Sequence, residues 1–295
     1  MSENKCSNTH IPYIGFGTAG IRDPEELKGL IRLSLQYGYR LIDTANGYHN
    51  EEVIGQALKE IGTARADYFL TSKLDDDAHS FSGAKQAVFQ TLERLQTDYI
   101  DLFLIHVPNS ERMRAAAEQS GNTSEDFWKY MNIDAWTGLE WCVQNGYVRS
   151  IGVSNFSERH LRSLLGNLSI KPSVNQIKLC AGCYSAQAKT ISYCRDENIV
   201  VQAYRPLGKG VVIKHPLLLQ LASFYNKTPA QIALRFLYQQ DFCSVVSSTK
   251  SIHLRENLDI FSFKLSAEDC EKLKCLRIND RLAMIKDPDS GEMYN

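Results

Sequence analysis

G-Y-R-L-I-D-T-A-N-G-Y (residues 38–48) decides how this chain is read. Gly38 stops an apolar helix pattern, R-L-I-D has the length and apolar character of a buried strand, and Asp43 closes it before a loop that carries Tyr48. The layout recurs. Y-F-L-T-S-K (68–73) runs into Lys73, and Y-I-D-L-F-L-I-H (99–106) runs into His106, each after a helix-like segment. Buried strands that each end on a polar or charged group are the pattern of a parallel barrel whose site gathers at the strands' C-terminal ends.

Working outward, the alternation continues. Y-I-G-F-G opens as a strand, and Asp23-Pro24-Glu25-Glu26 then gives a helix cap with Pro in the first turn. Leu27, Leu30, Ile31 and Leu35 form that helix's apolar face. A helix follows around 50–61, and Val88, Leu92 and Leu95 mark another. Further strands read I-D-L-F-L-I (100–105), V-R-S-I-G-V (148–153), S-V-N-Q-I (173–177), I-V-V-Q-A-Y (199–204) and C-S-V-V-S (243–247), with helix caps at Ser157 and Thr228-Pro229. The strands are apolar runs, as a sheet covered on both faces requires. The expected fold is α/β: one domain over residues 1–295, a single parallel (β/α)8 TIM barrel. Two long connections, 107–130 and 205–227, leave the C-terminal face as candidate substrate and cofactor loops. The polar tail, 279–295, shows no lid pattern beyond Met293 and Tyr294.

Composition excludes several classes. Lys+Arg of 33 balance Asp+Glu of 34 without a basic run, so neither nucleic acid nor an anionic membrane is an expected partner. No apolar stretch reaches the ~20 residues of a membrane span. The polar N-terminus lacks a signal-peptide core, so a cytoplasmic protein is expected, a monomer or weak dimer, whose eight Cys are thiols. Cys180-Ala181-Gly182-Cys183 invites a zinc or redox reading. No second C-x-x-C completes a metal set, so buried or loop thiols are expected and no metal.

Four groups together suggest carbonyl reduction. A neutral Tyr protonates a carbonyl oxygen if its pKa of ~10 falls toward working pH, and a nearby ammonium favours that. A buried Lys needs a counter-charge. Tyr48, Lys73 and Asp43 fit those roles, and His106 would orient the substrate oxygen. No G-x-G-x-x-G opens a βαβ unit, which argues against a Rossmann site. Two other readings stand beside this one. One is a catalytically weak, nucleotide-binding regulatory barrel. The other is a non-redox barrel enzyme acting on sugar phosphates, faintly echoed by P-L-G-K-G-V (206–211).

G-F-G-T-A (15–19), D-T-A-N-G-Y (43–48), T-S-K (71–73), the strand ending at His106, I-G-V-S-N-F (151–156), V-N-Q-I (174–177), A-Y-R-P-L-G (203–208) and R-E-N-L (255–258) carry a family resemblance in their order and spacing. The chain resembles the aldo-keto reductases over nearly its whole length. The resemblance implies NADPH-dependent reduction of aldehydes or ketones, NADH being possible. It makes Tyr48 the acid, Lys73 and Asp43 its tuning pair, and His106 the orienting group. It further implies that Tyr204 stacks on the nicotinamide while Ser154, Asn155 and Gln176 bind its carboxamide. Thr18, Asp43, Arg205, Leu207, Ser248, Lys250, Glu256 and Asn257 fall among its cofactor contacts, and Ala19, Tyr48, His106 and Val107 among its contacts to the small carbonyl substrate.

The chain also departs from the family pattern. The family's Pro-Lys-Ser after the last strand and the Arg beyond it are here Val246-Ser247-Ser248 and His253, leaving Lys250 and Arg255 as substitutes. That segment is similar to a fungal-type branch of ketone and α-keto amide reductases, and to xylose-reductase-like members. Ala19 and Val107 stand where tryptophans are usual, so a wider pocket is expected, or one filled by Trp128 or Trp136, for which core packing is the default reading.

Overall fold

The computed structural model describes residues 11–119, 125–287, 289–290 and 292–294. Eight parallel strands close into a barrel in sequence order: β1 (Ile14–Gly17), β2 (Leu41–Asp43), β3 (Phe69–Leu74), β4 (Ile100–Ile105), β5 (Val148–Ser154), β6 (Val174–Lys178), β7 (Val200–Tyr204) and β8 (Cys243–Val246), with β8 pairing back onto β1. The expected (β/α)8 barrel is the observed fold.

The apolar strand runs conceal a period of two, and that period builds the site. Outward positions such as Ile42, Leu70, Leu74, Phe103 and Ile105 join the core beneath the helices. Inward positions Leu41, Leu102, Leu104, Val174, Cys243 and Val245 pack into a separate plug inside the barrel, with Phe69 and Val200 against it. Alternate residues of a strand share a face. Two residues beyond Leu41, Leu104 and Val174 the same inner face therefore carries Asp43, His106 and Gln176. Gln202 and then Tyr204 continue from Val200, and Thr71 and Lys73 continue from Phe69. The plug packs tightly: a Cβ added at Gly15 would lie 2.2 Å from Leu41 Cδ2.

Helices α1 (Pro24–Tyr37), α2 (Glu51–Ile61) and α3 (Phe81–Leu95) follow β1 to β3. The expected N-cap of α1 is present: Asp23 accepts from the Glu26 N–H at 2.7 Å, and Gly38 ends the helix at φ 109°. The two long connections contain helices as well as loop. After β4 the chain forms α4 (Glu111–Gln119) and α5 (Glu125–Gln144), α4 anchored by buried Met113 and Ala117. α6 (Glu158–Leu165) and α7 (Ala188–Asp196) follow β5 and β6. After β7 come two 3₁₀ turns, α8 (Pro216–Tyr225) and α9 (Pro229–Gln239); α10 (Ser251–Leu258) and α11 (Ala267–Lys274) follow β8. The tail is less featureless than its composition suggests. Ile285–Lys286 and Met293–Tyr294 pair antiparallel as β9 and β10. No helix among the described residues is long and apolar enough to cross a membrane.

Candidate active site

A cavity of about 600 Å³ opens at the C-terminal end of the barrel, within the range of small-molecule sites. Asp43, Tyr48 and His106 line it, with Ser154, Asn155, Gln176, Tyr204, Arg205 and Leu207. Lys73 lies just beneath. Its ammonium, fully buried, contacts Asp43 Oδ1 at 2.7 Å and donates to the Thr44 carbonyl at 2.8 Å. Its third neighbour is the Tyr48 hydroxyl at 3.5 Å. Burial pushes the Lys73 pKa down, and Asp43 together with Tyr48 more than offsets that, so the group stays charged. His106 meets the Tyr48 ring edge-on, with centroids 5.8 Å apart.

His106 is held neutral. Burial, then Lys73 and His79, push its pKa down to about 3. A neutral imidazole still presents one N–H to a ligand oxygen, which suits orientation. The linkage sign follows directly. A folded-state pKa below the ~6.5 of an unfolded His means the unfolded chain binds the extra proton. His106 therefore contributes stability that is fully present above pH ~6.5 and is lost as pH falls toward 3, with a slope of up to ~1.4 kcal/mol per unit. His79 is lowered too, so it adds to the slope. Urea unfolding at pH 7.5, 6 and 5 should show His106→Gln with a slope shallower than wild type by close to one proton; equal slopes would contradict a neutral His106.

The loop bearing Tyr48 is fixed by a buried carboxylate. Glu51, at the start of α2 and 1% exposed, accepts from Ser72 Oγ at 2.6 Å, Thr91 Oγ1 at 3.0 Å and Asn46 Nδ2 at 3.0 Å, with Arg94 Nη1 at 3.2 Å. Ser72 precedes Lys73, and Asn46 opens the 3₁₀ turn Asn46–Tyr48. Glu51 thus ties the two chain segments that carry the ammonium and the phenol. Sequence reading missed it, because a Glu in a helix's first turn ordinarily signals an exposed capping charge.

The floor of the cavity is an amide network. Gln176 Nε2 donates to Asp43 Oδ2 and to Gln202 Oε1, both at 2.7 Å. Both its protons are used, which leaves its oxygen to accept from a ligand amide. Asn155, at φ 62°, donates to the His106 carbonyl at 2.9 Å and accepts from the Tyr204 hydroxyl at 2.8 Å. Ser154 Oγ donates to the Gln176 carbonyl at 2.8 Å. Ser154 and Asn155 thus already have protein partners and brace the floor. Burial raises the Tyr204 pKa to about 12, so its ring meets the cavity as a neutral aromatic face.

Other expected residues lie off the lining. Thr18 is buried, and its hydroxyl donates to the Asp43 carbonyl at 2.9 Å. Val107 is anchored by its carbonyl to His79 Nε2 at 3.1 Å. Ser248 accepts from the Lys250 N–H at 3.1 Å, Lys250 is exposed as the N-cap of α10, and Glu256 is partly buried in that helix. Asn257 is buried and hydrogen-bonds the Tyr39 side chain. None of these four groups is among the residues that line the cavity. The tryptophans do not fill the pocket. Trp128 packs edge-on against His160 at 4.7 Å, and Trp136 donates to the Ile170 carbonyl at 3.0 Å, both outside the barrel. Ala19 lines the cavity, so that side stays open. Lys209, which the sequence reading passed over, also lines it, at φ 52° between Gly208 and Gly210. Its signal was the G-K-G inside P-L-G-K-G-V.

Comparison with known proteins shows the family and the fold. The sequence profile of the Aldo/keto reductase family matches residues 13–278. The chain is 34% identical over 276 residues to the glyoxal reductase of Bacillus subtilis (strain 168), covering 94% of this chain and 92% of that one. It is 34% identical over 278 residues to an aldo-keto reductase of Mycobacterium marinum, covering 94% and 91%. Among solved structures it is similar to a point mutant of Gox0644 in complex with NADPH, at a TM-score of 0.82 and 30% identity over 96% of this chain and 95% of that one. It is likewise similar to Bombyx mori aldo-keto reductase AKR2E4 in complex with NADP, at 0.81 and 29% over 95% and 93%.

Proposed function

The chain belongs to the aldo/keto reductase family and is an NAD(P)H-dependent oxidoreductase, and on that premise we propose that it uses NADPH to reduce small aldehydes and ketones, with Tyr48 supplying the proton. The observation that carries this reading is the convergence of Asp43, Tyr48, Lys73 and His106 on one cavity. The residues present fit a dinucleotide. Tyr204 offers an aromatic face, Gln176 an amide oxygen, and Arg205 and Lys209 two cations at the rim. Bound there, the nicotinamide supplies the hydride. The chain's own groups do the rest: Lys73 and Asp43 hold the phenol's surroundings charged, and neutral His106 orients the carbonyl oxygen beside Tyr48.

The open wall at Ala19 favours substrates without a demand for aromatic packing. α-Dicarbonyls, as the name of the Bacillus relative suggests, head the candidates, followed by ketones and α-keto amides. NADPH oxidation against a panel of these carbonyls tests the proposal, together with transfer of deuterium from labelled NADPH to product. No turnover with any carbonyl would overturn it.

Cofactor preference divides by position. A 2′-phosphate distinguishes NADPH from NADH, whereas the pyrophosphate is common to both. Lys250, at the exposed start of α10, is assigned to the first, and Lys209, on the cavity lining, to the second. NADPH should be preferred. Lys250→Ala should lower kcat/KM for NADPH by about 10-fold and leave NADH nearly unchanged, while Lys209→Ala should weaken both alike; such a charge-assisted contact contributes ~1.5–3 kcal/mol. A preference for NADH, or an equal loss in Lys250→Ala, would place the 2′-phosphate elsewhere.

A further inference from the structure

The C-x-x-C at residues 180–183 takes no part in the proposed reaction, yet its geometry is specific. Cys180 follows β6, and Ala181–Cys183 form a 3₁₀ turn, in which side chains three residues apart eclipse. The two sulfurs lie 3.3 Å apart, and the Cys180 N–H donates to Cys183 Sγ at 3.3 Å. Both residues are fully buried. The hydrogen bond from Cys183 holds the Cys180 thiol below its ordinary pKa, against the opposing effect of burial. Cys183, the other partner of that bond and buried as well, is raised in turn. The pair therefore has one sulfur disposed to ionise and a second that keeps its proton. Lys178, two residues upstream, adds a positive charge, with Arg205 and Lys209 near it in turn. Such an electropositive setting is what activates paired thiols.

The turn is also a mechanical junction. The Ile278 N–H donates to the Gly182 carbonyl at 3.2 Å, and Lys178 Nζ holds the Arg281 carbonyl at 3.5 Å and the Met284 carbonyl. Cys180 Sγ reaches the Ala283 carbonyl at 4.0 Å. Ala283 lies against Gly208, where an added Cβ would be 3.7 Å from its own, and Gly208 adjoins Lys209 on the cavity wall. A continuous set of contacts thus runs from the two sulfurs, through residues 278–286, to the rim of the cavity.

We propose that Cys180 and Cys183 are a redox site that closes to a disulfide on reaction with a hydroperoxide, and that closure loosens the grip of the 205–210 loop on the dinucleotide. The second half rests on the cofactor reading above; the first does not. The Cys180 thiolate attacks the terminal peroxide oxygen, forming an S–O bond as the O–O bond breaks, and the leaving hydroxide takes a proton to become water. The Cys183 thiol then displaces the hydroxyl of that sulfenic acid as a second water, and the S–S bond forms. Two thiols lose two electrons and two protons, and one hydrogen peroxide becomes two waters. Drawing the sulfurs into a bond pulls Cys180 from Ala283, whose neighbour is the cofactor loop. Both sulfurs are buried, so reaction follows opening of the 278–286 segment. A bound dinucleotide that steadies the loop must slow it, by reciprocity.

The test uses the full-length chain with and without hydrogen peroxide, alkylated in denaturant and weighed intact and after trypsin. The expected result is a fall from eight alkylatable thiols to six. The loss should lie in the single peptide 179–189, two hydrogens lighter, be reversed by a phosphine reductant, and be absent in Cys183→Ser. Saturating NADPH should slow it, and the oxidised protein should bind NADPH at least ~5-fold more weakly. Retention of all eight thiols, or a lone sulfinic acid on either Cys, would overturn the redox site. A disulfide with an unchanged NADPH Kd would overturn the coupling. Failure of the reduced protein to bind NADPH at all would count against the cofactor reading, while the thiol masses would still decide the redox half.

Discussion

Tyr48→Phe is expected to lower kcat for carbonyl reduction by ~10²–10⁴-fold while the Kd for NADPH holds, because the change removes a general acid and little else. The structure narrows the alternatives. His106 touches the same ring, but with a pKa of about 3 it carries a transferable proton in only about one molecule in 10⁴ at pH 7. The Lys73 ammonium is engaged with Asp43 and Thr44. The phenol is left as the hydroxyl that faces the cavity beside His106. A Phe ring keeps the edge contact with His106 and leaves the Lys73–Asp43 pair in place, so the loss should appear in kcat rather than in cofactor binding or melting temperature. Fluorescence titration with NADPH and steady-state rates on one good carbonyl separate these quantities. A variant that turns over near the wild-type rate would remove Tyr48 from the role.

The barrel and the four converging groups were legible because both rest on local patterns. Apolar runs of strand length, each ending on a charge, need only the sequence period and the rule that strand ends carry the site. Asp43, Lys73 and His106 were visible for the same reason, since each ends its run, whereas Gln176 came only through the family resemblance. Glu51 was not visible, because its burial is set by Ser72, Thr91 and Arg94, up to 43 residues away in the chain. The off-cavity placement of Asn257 was hidden likewise, since Tyr39 lies in the β1–β2 connection rather than near α10 in sequence. The tail gave no sign of its hairpin. Its two strands are two residues each, too short for a period to register. Trp128 and Trp136 take the default reading, core packing: the helix that carries both wraps the barrel's outside, and a Trp there finds core before it finds the cavity.

Lys73→Met should cost both stability and rate, and a double variant separates the two. Lys73 and Asp43 are a buried ion pair, their side chains 0% and 5% exposed. Removing the ammonium leaves Asp43 with Gln176 Nε2 as its remaining strong donor and a charge enclosed by protein. Breaking such a pair from one side typically costs ~3–5 kcal/mol, since the surviving charge stays desolvated. The pH sign is fixed by the direction of the shift. Lys73 is raised above its ordinary value, so its contribution is fully present below the unfolded pKa of ~10.4 and fades as pH rises through the folded one. Wild type should therefore lose stability in alkali that Lys73→Met has already lost at neutral pH. Asp43→Asn combined with Lys73→Met removes both charges, and should regain most of the stability while remaining as slow as Lys73→Met. Recovery follows because a neutral amide next to Gln176 and a thioether below it are cheaper to bury than one unpaired carboxylate. Activity does not recover because the charge beside the phenol is gone. Urea midpoints at constant m, read with NADPH-dependent rates for the three variants, decide the matter. A double variant no more stable than Lys73→Met would mean that the pair's charge is not what the fold depends on, and a double variant with restored turnover would mean that Tyr48 needs no ammonium beside it.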